Sequence, residues 1–188
     1  MKQKRCYLCG SYKNHQRHGK VRDNDKIQVL ECNECGLVFL SEFAHLHEDH
    51  YADSGMHGGV PNIDSWLKRT EADDDRRFRF LQSRLTNKRV LDFGCGIGGF
   101  LEKAKQCAKE VAGIEPERAL AASFEERGLS IWANHHDALA SGRKWDFVTA
   151  FHVIEHLSRP REILEELSLL LEEGMGKEII IEVPSADD

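Results

Sequence analysis

The chain has 188 residues, of which 40% are hydrophobic, enough for one medium domain and a small appendage. No run approaches the roughly 20 apolar residues of a membrane span, and the Lys- and Arg-containing first residues lack the apolar segment of a secretory leader. The net charge of −6 gives no general case for nucleic-acid binding. That charge is uneven: residues 1–40 hold 8 Lys/Arg against 4 Asp/Glu, a balance of +4, so the remainder carries −10.

Residues 1–40 contain Cys6-Tyr-Leu-Cys9-Gly10 and Cys32-Asn-Glu-Cys35-Gly36. Two residues between thiolates let both reach one ion, and the glycine relieves the tight turn behind the second sulfur. Cys6, Cys9, Cys32 and Cys35 together make the four-thiolate shell of structural Zn2+. Ile27, Val29 and Leu30 suggest one strand between the pairs, and Leu37, Val38 and Phe39 suggest another after them. The reading is a zinc ribbon whose small core leaves the metal to supply most of its folding energy. Four thiolates leave no open position for catalysis. A redox role for one pair would leave the other unexplained. The local basic bias fits a solvated surface that offsets thiolate charge, in preference to a nucleic-acid contact. Cysteines so arranged fit a reducing compartment and a cytoplasmic protein.

Residues 41–62 hold His45, His47, His50 and His57 with several glycines, and read as an exposed connector or a lid. Tyr51 is its candidate for facing a substrate. Residues 63–87 predict a helix or helix pair, with Trp66 and Leu67 at one apolar site and Phe78, Leu81 and Leu85 at another. Asp73, Asp74 and Asp75 between them read as a solvated face.

Residues 89–100, Arg-Val-Leu-Asp-Phe-Gly-Cys-Gly-Ile-Gly-Gly-Phe, give a buried strand, a glycine-rich turn and a helix start. This is the form of a nucleotide-cofactor site. Helical spacing continues through Leu101, Ala104, Cys107 and Ala108. Gly94, Gly96 and Gly99 satisfy G-x-G-x-x-G, the dinucleotide fingerprint. Asp92, Gly94, Gly96 and Gly98 satisfy acidic-x-G-x-G-x-G, which resembles the first motif of class I S-adenosylmethionine-dependent methyltransferases. Asp92 favours the second pattern, because an acid ahead of the loop repels a pyrophosphate but suits an ammonium group.

Val111 to Ile114 predicts the second strand, ending at Glu115, an acid placed to accept hydrogen bonds from ribose hydroxyls in either cofactor class. A helix is predicted from about Glu117 to Arg127, stopped by Gly128. A third strand follows over Leu129 to Trp132, and then His136-Asp137-Ala138-Leu139. Trp145 to Ala150 predicts a fourth strand, leading into Phe151-His-Val-Ile-Glu-His-Leu157. Pro160 opens a helix with an Ile163, Leu164, Leu167, Leu170, Leu171 stripe, and Lys177 to Val183 predicts a fifth strand.

The alternation of elements predicts an α/β fold, a Rossmann-like doubly wound, mostly parallel sheet with a small zinc ribbon ahead of it. The segment at 151–157 also resembles the methyltransferase family. Across residues 85–184, the resemblance implies that Asp92, Gly94, Cys95, Gly96, Glu115 and the backbone near Phe151 hold S-adenosyl-L-methionine. It implies that Asp137 and Ala138 meet the adenine, against the plainer reading of Asp137 as a turn residue. Glu155 and His156 then flank the substrate, with His156 a candidate base or a helix-packing residue. Helices ahead of the first strand commonly cap the cofactor cleft in that family. The family normally adds a helix and two strands after the fifth, so the expectation is an incomplete class I fold whose fifth strand is an unpaired apolar edge. Residues 6–36 resemble the zinc-binding module of sugar C-methyltransferases. The organisation expected is residues 1–40 as ribbon, 41–62 as connector and 63–188 as methyltransferase core. The acceptor expected is a small molecule, such as a nucleotide-linked sugar. The alternatives are a ribosomal-RNA methyltransferase, an NAD-dependent oxidoreductase and a non-catalytic zinc-ribbon interaction protein.

Overall fold

The computed structural model describes residues 4–19, 21, 26–42, 52, 62–174 and 176–185. The connector histidines and Tyr51 lie outside these residues.

The N-terminal part is a three-stranded antiparallel sheet of β1 (Asn14–Gln16), β2 (Val29–Cys32) and β3 (Val38–Leu40). The two strands expected from the apolar residues are β2 and β3. β1 carries no apolar signal and was not foreseen; it pairs Asn14 with Cys32 and Gln16 with Leu30. The core here is Cys6, Leu30, Cys32 and Phe39, with Tyr7 edge-on to Phe39.

The larger part is a five-stranded parallel sheet. Its elements run α1 (Ile63–Leu85), β4 (Arg89–Phe93), α2 (Gly99–Ala104), β5 (Glu110–Ile114), α3 (Ala121–Glu126), β6 (Ile131–Trp132), α4 (His135–Ala140), β7 (Phe147–Phe151), α5 (Pro160–Ser168) and β8 (Glu178–Glu182). The strand order β6-β5-β4-β7-β8 is doubly wound, reversing direction between β4 and β7. A ligand crevice is expected outside the strand ends at such a switch point. β4 is buried on both faces. Leu91 and Phe93 pack with Ala112, Ile114, Val148 and the α5 residue Leu167 on one face. Val90 packs with Phe147, Phe100 of α2 and Phe78, Leu81 and Leu85 of α1 on the other. Continuous apolar strands and amphipathic helices follow from this two-sided burial.

Several sequence expectations change. Of the helix or helix pair expected, residues 63–85 form the single helix, capped by the Asn62 side chain accepting from Ser65 N–H. Asp74 is not on a solvated face. It is buried on the stripe of Phe78, Leu81 and Leu85 and pairs with Arg77 at 3.5 Å. α2 is only six residues long, and Cys107 and Ala108 pack from the turn beyond it. The segment after β5 begins as a 3-10 turn at Arg118–Leu120 before α3. A helix, α4, separates the third and fourth parallel strands at a stretch where no apolar periodicity predicts one. β8 pairs along its length with β7 and forms an edge of the sheet among the described residues. Ile181 and Val183 are exposed there.

Candidate functional site

The glycine loop stands at the C-terminal end of the central strand. Gly94, Gly96 and Gly98 have φ of 70°, 51° and 80°, a left-handed backbone that an L side chain strains to adopt. Space also excludes side chains at two of them: a Cβ on Gly94 would strike Val153, and one on Gly98 would lie 2.8 Å from Leu129. Gly96 differs. The nearest atom to its Cβ position is on the Trp66 ring at 3.7 Å, so a ligand can approach this backbone closely. The loop is pinned to the neighbouring strand by Gly94 and Cys95 N–H donating to the Ile114 carbonyl at 2.8 and 3.1 Å.

Two carboxylates meet this loop. Asp92 is buried, and its Oδ1 accepts from the Thr149 hydroxyl at 2.7 Å. Burial pushes its pKa up to about 7, the negative charges of Asp74 and Glu115 add to this, and Thr149 and Arg77 oppose it. Glu115, at the end of β5, accepts from Gly96 N–H at 2.8 Å through Oε2 and from Glu117 N–H at 3.0 Å through Oε1. Burial raises its pKa, and these two N–H groups act against the rise. Each Glu115 oxygen accepts one bond and keeps a second lone pair for a ligand hydroxyl. A cavity of about 520 Å³ opens from Glu115 along the ends of β5 and β6, lined also by Pro116, Arg118, Phe124, Leu129 and Trp132. The backbone N–H of Arg118 donates to the Ala52 carbonyl at 3.1 Å, bringing that point of the connector beside the cavity.

The other sequence-predicted residues fall in different settings. Cys95 is buried, and burial pushes its thiol well above the ordinary range, so it is no nucleophile. Asp137 is exposed and accounted for locally. The Asn134 side chain caps α4 by accepting from Asp137 N–H at 2.9 Å, and its amide donates to Asp137 Oδ2 at 2.8 Å. Ala138 is buried in the main core. The Phe151 ring sits edge-on to Phe100, with the Arg77 guanidinium 4.9 Å above it. His152 has φ 56°, a strained value for a non-glycine residue at the strand end. Its Nδ1 lies 3.4 Å from Glu155 Oε1. His156 Nε2 lies 4.0 Å from the same oxygen, while Glu155 Oε2 is buried without a hydrogen-bond partner.

The sequence reading missed three supports of this crevice. Thr149 is the only polar residue inside β7, directly in register with Asp92. Asp74 on α1 leaves no room for a Cβ on Gly99, so α1 lies against the loop. Glu182 at the end of β8 accepts from Arg76 at 2.9 and 3.0 Å and from Arg77 at 2.6 and 3.0 Å, and His152 Nε2 lies 3.0 Å away. Burial alone would raise the Glu182 pKa, but the two arginines overcome this and hold it down at about 2. Asp74 was legible as a member of the 74-78-81-85 stripe. The pairing of Glu182 with residues more than a hundred positions away was not.

The ribbon cysteines converge. Their four Sγ atoms lie within 4.8 Å of one another, with Cys6 to Cys35 at 3.7 Å and Cys9 to Cys32 at 3.5 Å. Tetrahedral zinc with sulfur bonds of about 2.3 Å requires edges of about 3.8 Å, so the donors fit. Gly10 and Gly36 have φ of 77° and 73° and donate to the Cys6 and Cys32 carbonyls, closing two matching turns. The Glu34 N–H, against the opposing effect of burial, brings the Cys32 thiol down to about 7. At Cys35 and Cys9 the Leu37 and Ser11 backbone bonds are outweighed by burial and the adjoining sulfurs, which push Cys35 up to about 12 and Cys9 upward, so thiolates at all four need a cation among them.

A doubly wound parallel sheet with a glycine loop between two strand-end carboxylates defines a Rossmann-like cofactor-binding protein. Residues 63–188 match the family model described as a methyltransferase domain, and the chain belongs to that family. It is 31% identical over 111 residues to the ubiquinone biosynthesis O-methyltransferase of Haemophilus ducreyi, covering 50% of this chain and 47% of that protein. It is 29% identical over 110 residues to the protein of the same description from Actinobacillus pleuropneumoniae. The chain thus spans about half the length of these curated relatives. The fold is shared with the N-methyltransferase NodS of Bradyrhizobium japonicum WM9, solved with S-adenosyl-L-homocysteine. The TM-score is 0.54 at 18% identity, covering 70% of this chain and 72% of that one. Streptomyces venezuelae DesVI gives 0.50 at 19% identity, covering 68% and 57%. Among the described residues no helix is long and apolar enough to cross a membrane.

Proposed function

We propose that this chain binds S-adenosyl-L-methionine at the glycine loop and transfers its methyl group to a small-molecule acceptor. The observation that carries the reading is the placement of Asp92 and Glu115 on either side of Gly96, at the ends of the two central strands. A carboxylate raised chiefly by burial, with two other acids adding to the rise, is a poor neighbour for a phosphate and a good one for an ammonium group. This separates the sulfonium cofactor from NAD, for which the glycine spacing alone also allows.

When bound, the cofactor supplies an electrophilic methyl group on a positively charged sulfur. Asp92 and the Gly94 and Gly96 backbone hold its amino-acid end, together with the backbone at Phe151. Glu115 takes the ribose hydroxyls through its free lone pairs. The α4 start would border the adenine, Asp137 offering the carboxylate lone pairs that the Asn134 amide leaves free and Ala138 its backbone. α1 lies against the loop, with Trp66 beside Gly96 and Asp74 against Gly99. For transfer of that methyl group to an acceptor, this chain would contribute positioning and, where the acceptor's nucleophile carries a proton, its removal. His156 is the base in this reading, with Glu155 turning it toward the crevice.

The zinc ribbon serves as a structural module, and its reduced thiolates fit a cytoplasmic protein. A nucleotide-linked sugar or a comparable metabolite is the acceptor class we favour, on the combination of ribbon and core. The curated relatives named for ubiquinone biosynthesis favour a small acceptor bearing a hydroxyl. The test is label transfer from methyl-labelled cofactor across panels of nucleotide sugars, phenols and ribosomal RNA. Labelling of a small molecule that slows in His156→Ala while cofactor affinity is unchanged supports the assignment. Labelling of RNA alone, or of nothing by a chain that binds the cofactor, refutes it.

A further inference from the structure

A second cluster of metal-binding side chains stands apart from the ribbon. His135 and His136 open α4, and Glu166 projects from α5 toward them. One ligating atom from each lies within 4.8 Å of the others. His135 Nε2 is 2.5 Å from Glu166 Oε2, and the two imidazole rings lie tilted at 39° with centroids 4.0 Å apart. The His135 ring is held edge-on by Phe93 at 6.3 Å, and its side chain is only 14% exposed. The geometry points to a second divalent-metal site, formed by His135, His136 and Glu166, that takes a borderline cation of the Zn2+ type.

A charge pair between His135 and Glu166 would account for those two residues alone. It leaves His136 unexplained. That exposed imidazole makes no hydrogen bond among the described residues; its contact is the neighbouring ring. Two imidazoles and one carboxylate are the donor set of open zinc sites, and nitrogen with oxygen ligands selects Zn2+, Co2+ or Ni2+ over Mg2+ or Ca2+. Ligand atoms around tetrahedral zinc stand about 3.3 Å apart for bonds of about 2.0 Å. The cation therefore enters by separating His135 from Glu166 slightly and turning His136 inward, which its exposure permits. Three protein ligands leave one position open to water or a further ligand. Because the donors come from two helices, occupancy fixes the first turn of α4 against α5.

Cobalt is the probe, because its visible spectrum separates the two sites. Full-length, tag-free protein carrying Zn2+ in the ribbon is titrated with Co2+ in excess Mg2+. The expected result is uptake of one additional equivalent, with d–d absorption and no thiolate charge-transfer band. His136→Ala and Glu166→Gln should each weaken that uptake by about tenfold or more. His136 is exposed, so its removal leaves the core intact, and unchanged melting of both variants verifies this. No uptake by the wild-type chain overturns the site. So does uptake that either variant retains at full affinity, which would place the cobalt elsewhere, for instance on the connector histidines.

Discussion

Binding of the sulfonium cofactor should weaken about fivefold between pH 7 and pH 6, and Asp92 should be the reason. Burial holds this carboxyl at about 7, and only the ionised form pairs with the ligand's ammonium group. At pH 7 about half of the molecules are ionised at Asp92, and at pH 6 about one in eleven. The ratio corresponds to about 1 kcal/mol of binding free energy. An α-amino group stays largely charged across this window, since it loses its proton only near about 8. The sign for the unliganded chain is opposite. A carboxyl raised above its ordinary value contributes stability that is complete below that ordinary value and is lost as the pH rises through about 7. Cofactor protection against thermal unfolding should therefore grow from pH 6 to pH 7. Thr149→Val removes the hydrogen bond that favours the ionised form, and should move the midpoint upward. Isothermal titration in buffers of different ionisation enthalpy reads both the affinity and the proton released. A flat wild-type profile, or the same slope in Asp92→Asn, refutes the reasoning.

Other consequences are equally direct. Glu115→Ala removes the acceptor for Gly96 N–H and for the ribose, and should cost about 2–3 kcal/mol of cofactor binding by calorimetry. Gly96→Val at φ 51° should abolish binding while far-ultraviolet dichroism stays unchanged. Chelating the ribbon zinc should unfold residues 1–40 with the core intact, seen as loss of hydrogen-exchange protection in β2 and β3 and retention in β4 and β5. Glu182→Gln leaves Arg77 short of its partner and loosens β8 from α1. The partly exposed network puts the loss at about 1–2 kcal/mol in denaturant unfolding. The same carboxyl, held down at about 2, contributes stability that is present above the ordinary glutamate value and lost as the pH falls toward 2.

The features legible in the sequence are those that nearby residues determine. The two C-x-x-C-G turns, the Asp92 to Gly99 loop and the Pro160 helix start each depend on a few adjacent residues, and the structure forms all three. Features that carry no apolar signal of their own, or that depend on distant partners, were misread or invisible. Three successive aspartates look solvated, yet Asp74 turns inward because Arg77, Thr70 and Lys103 meet it there. α4 is a single short helix whose first turn is two histidines and an aspartate; the Asn134 cap establishes it rather than any apolar stripe. β6 shrinks to Ile131–Trp132 because it pairs only with the last two residues of β5. The arginine cluster on Glu182 joins the fourth turn of α1 to the last described strand, a contact no local pattern encodes.

The central claim is that the loop between Asp92 and Glu115 is built for S-adenosyl-L-methionine. The most direct measurement is a calorimetric titration of zinc-replete protein with that cofactor, with NAD as the control ligand. The account predicts saturable binding of S-adenosyl-L-methionine, lost in Glu115→Ala, and no heat with NAD. Binding of NAD alone, or cofactor binding that survives both Glu115→Ala and Gly96→Val, would contradict it.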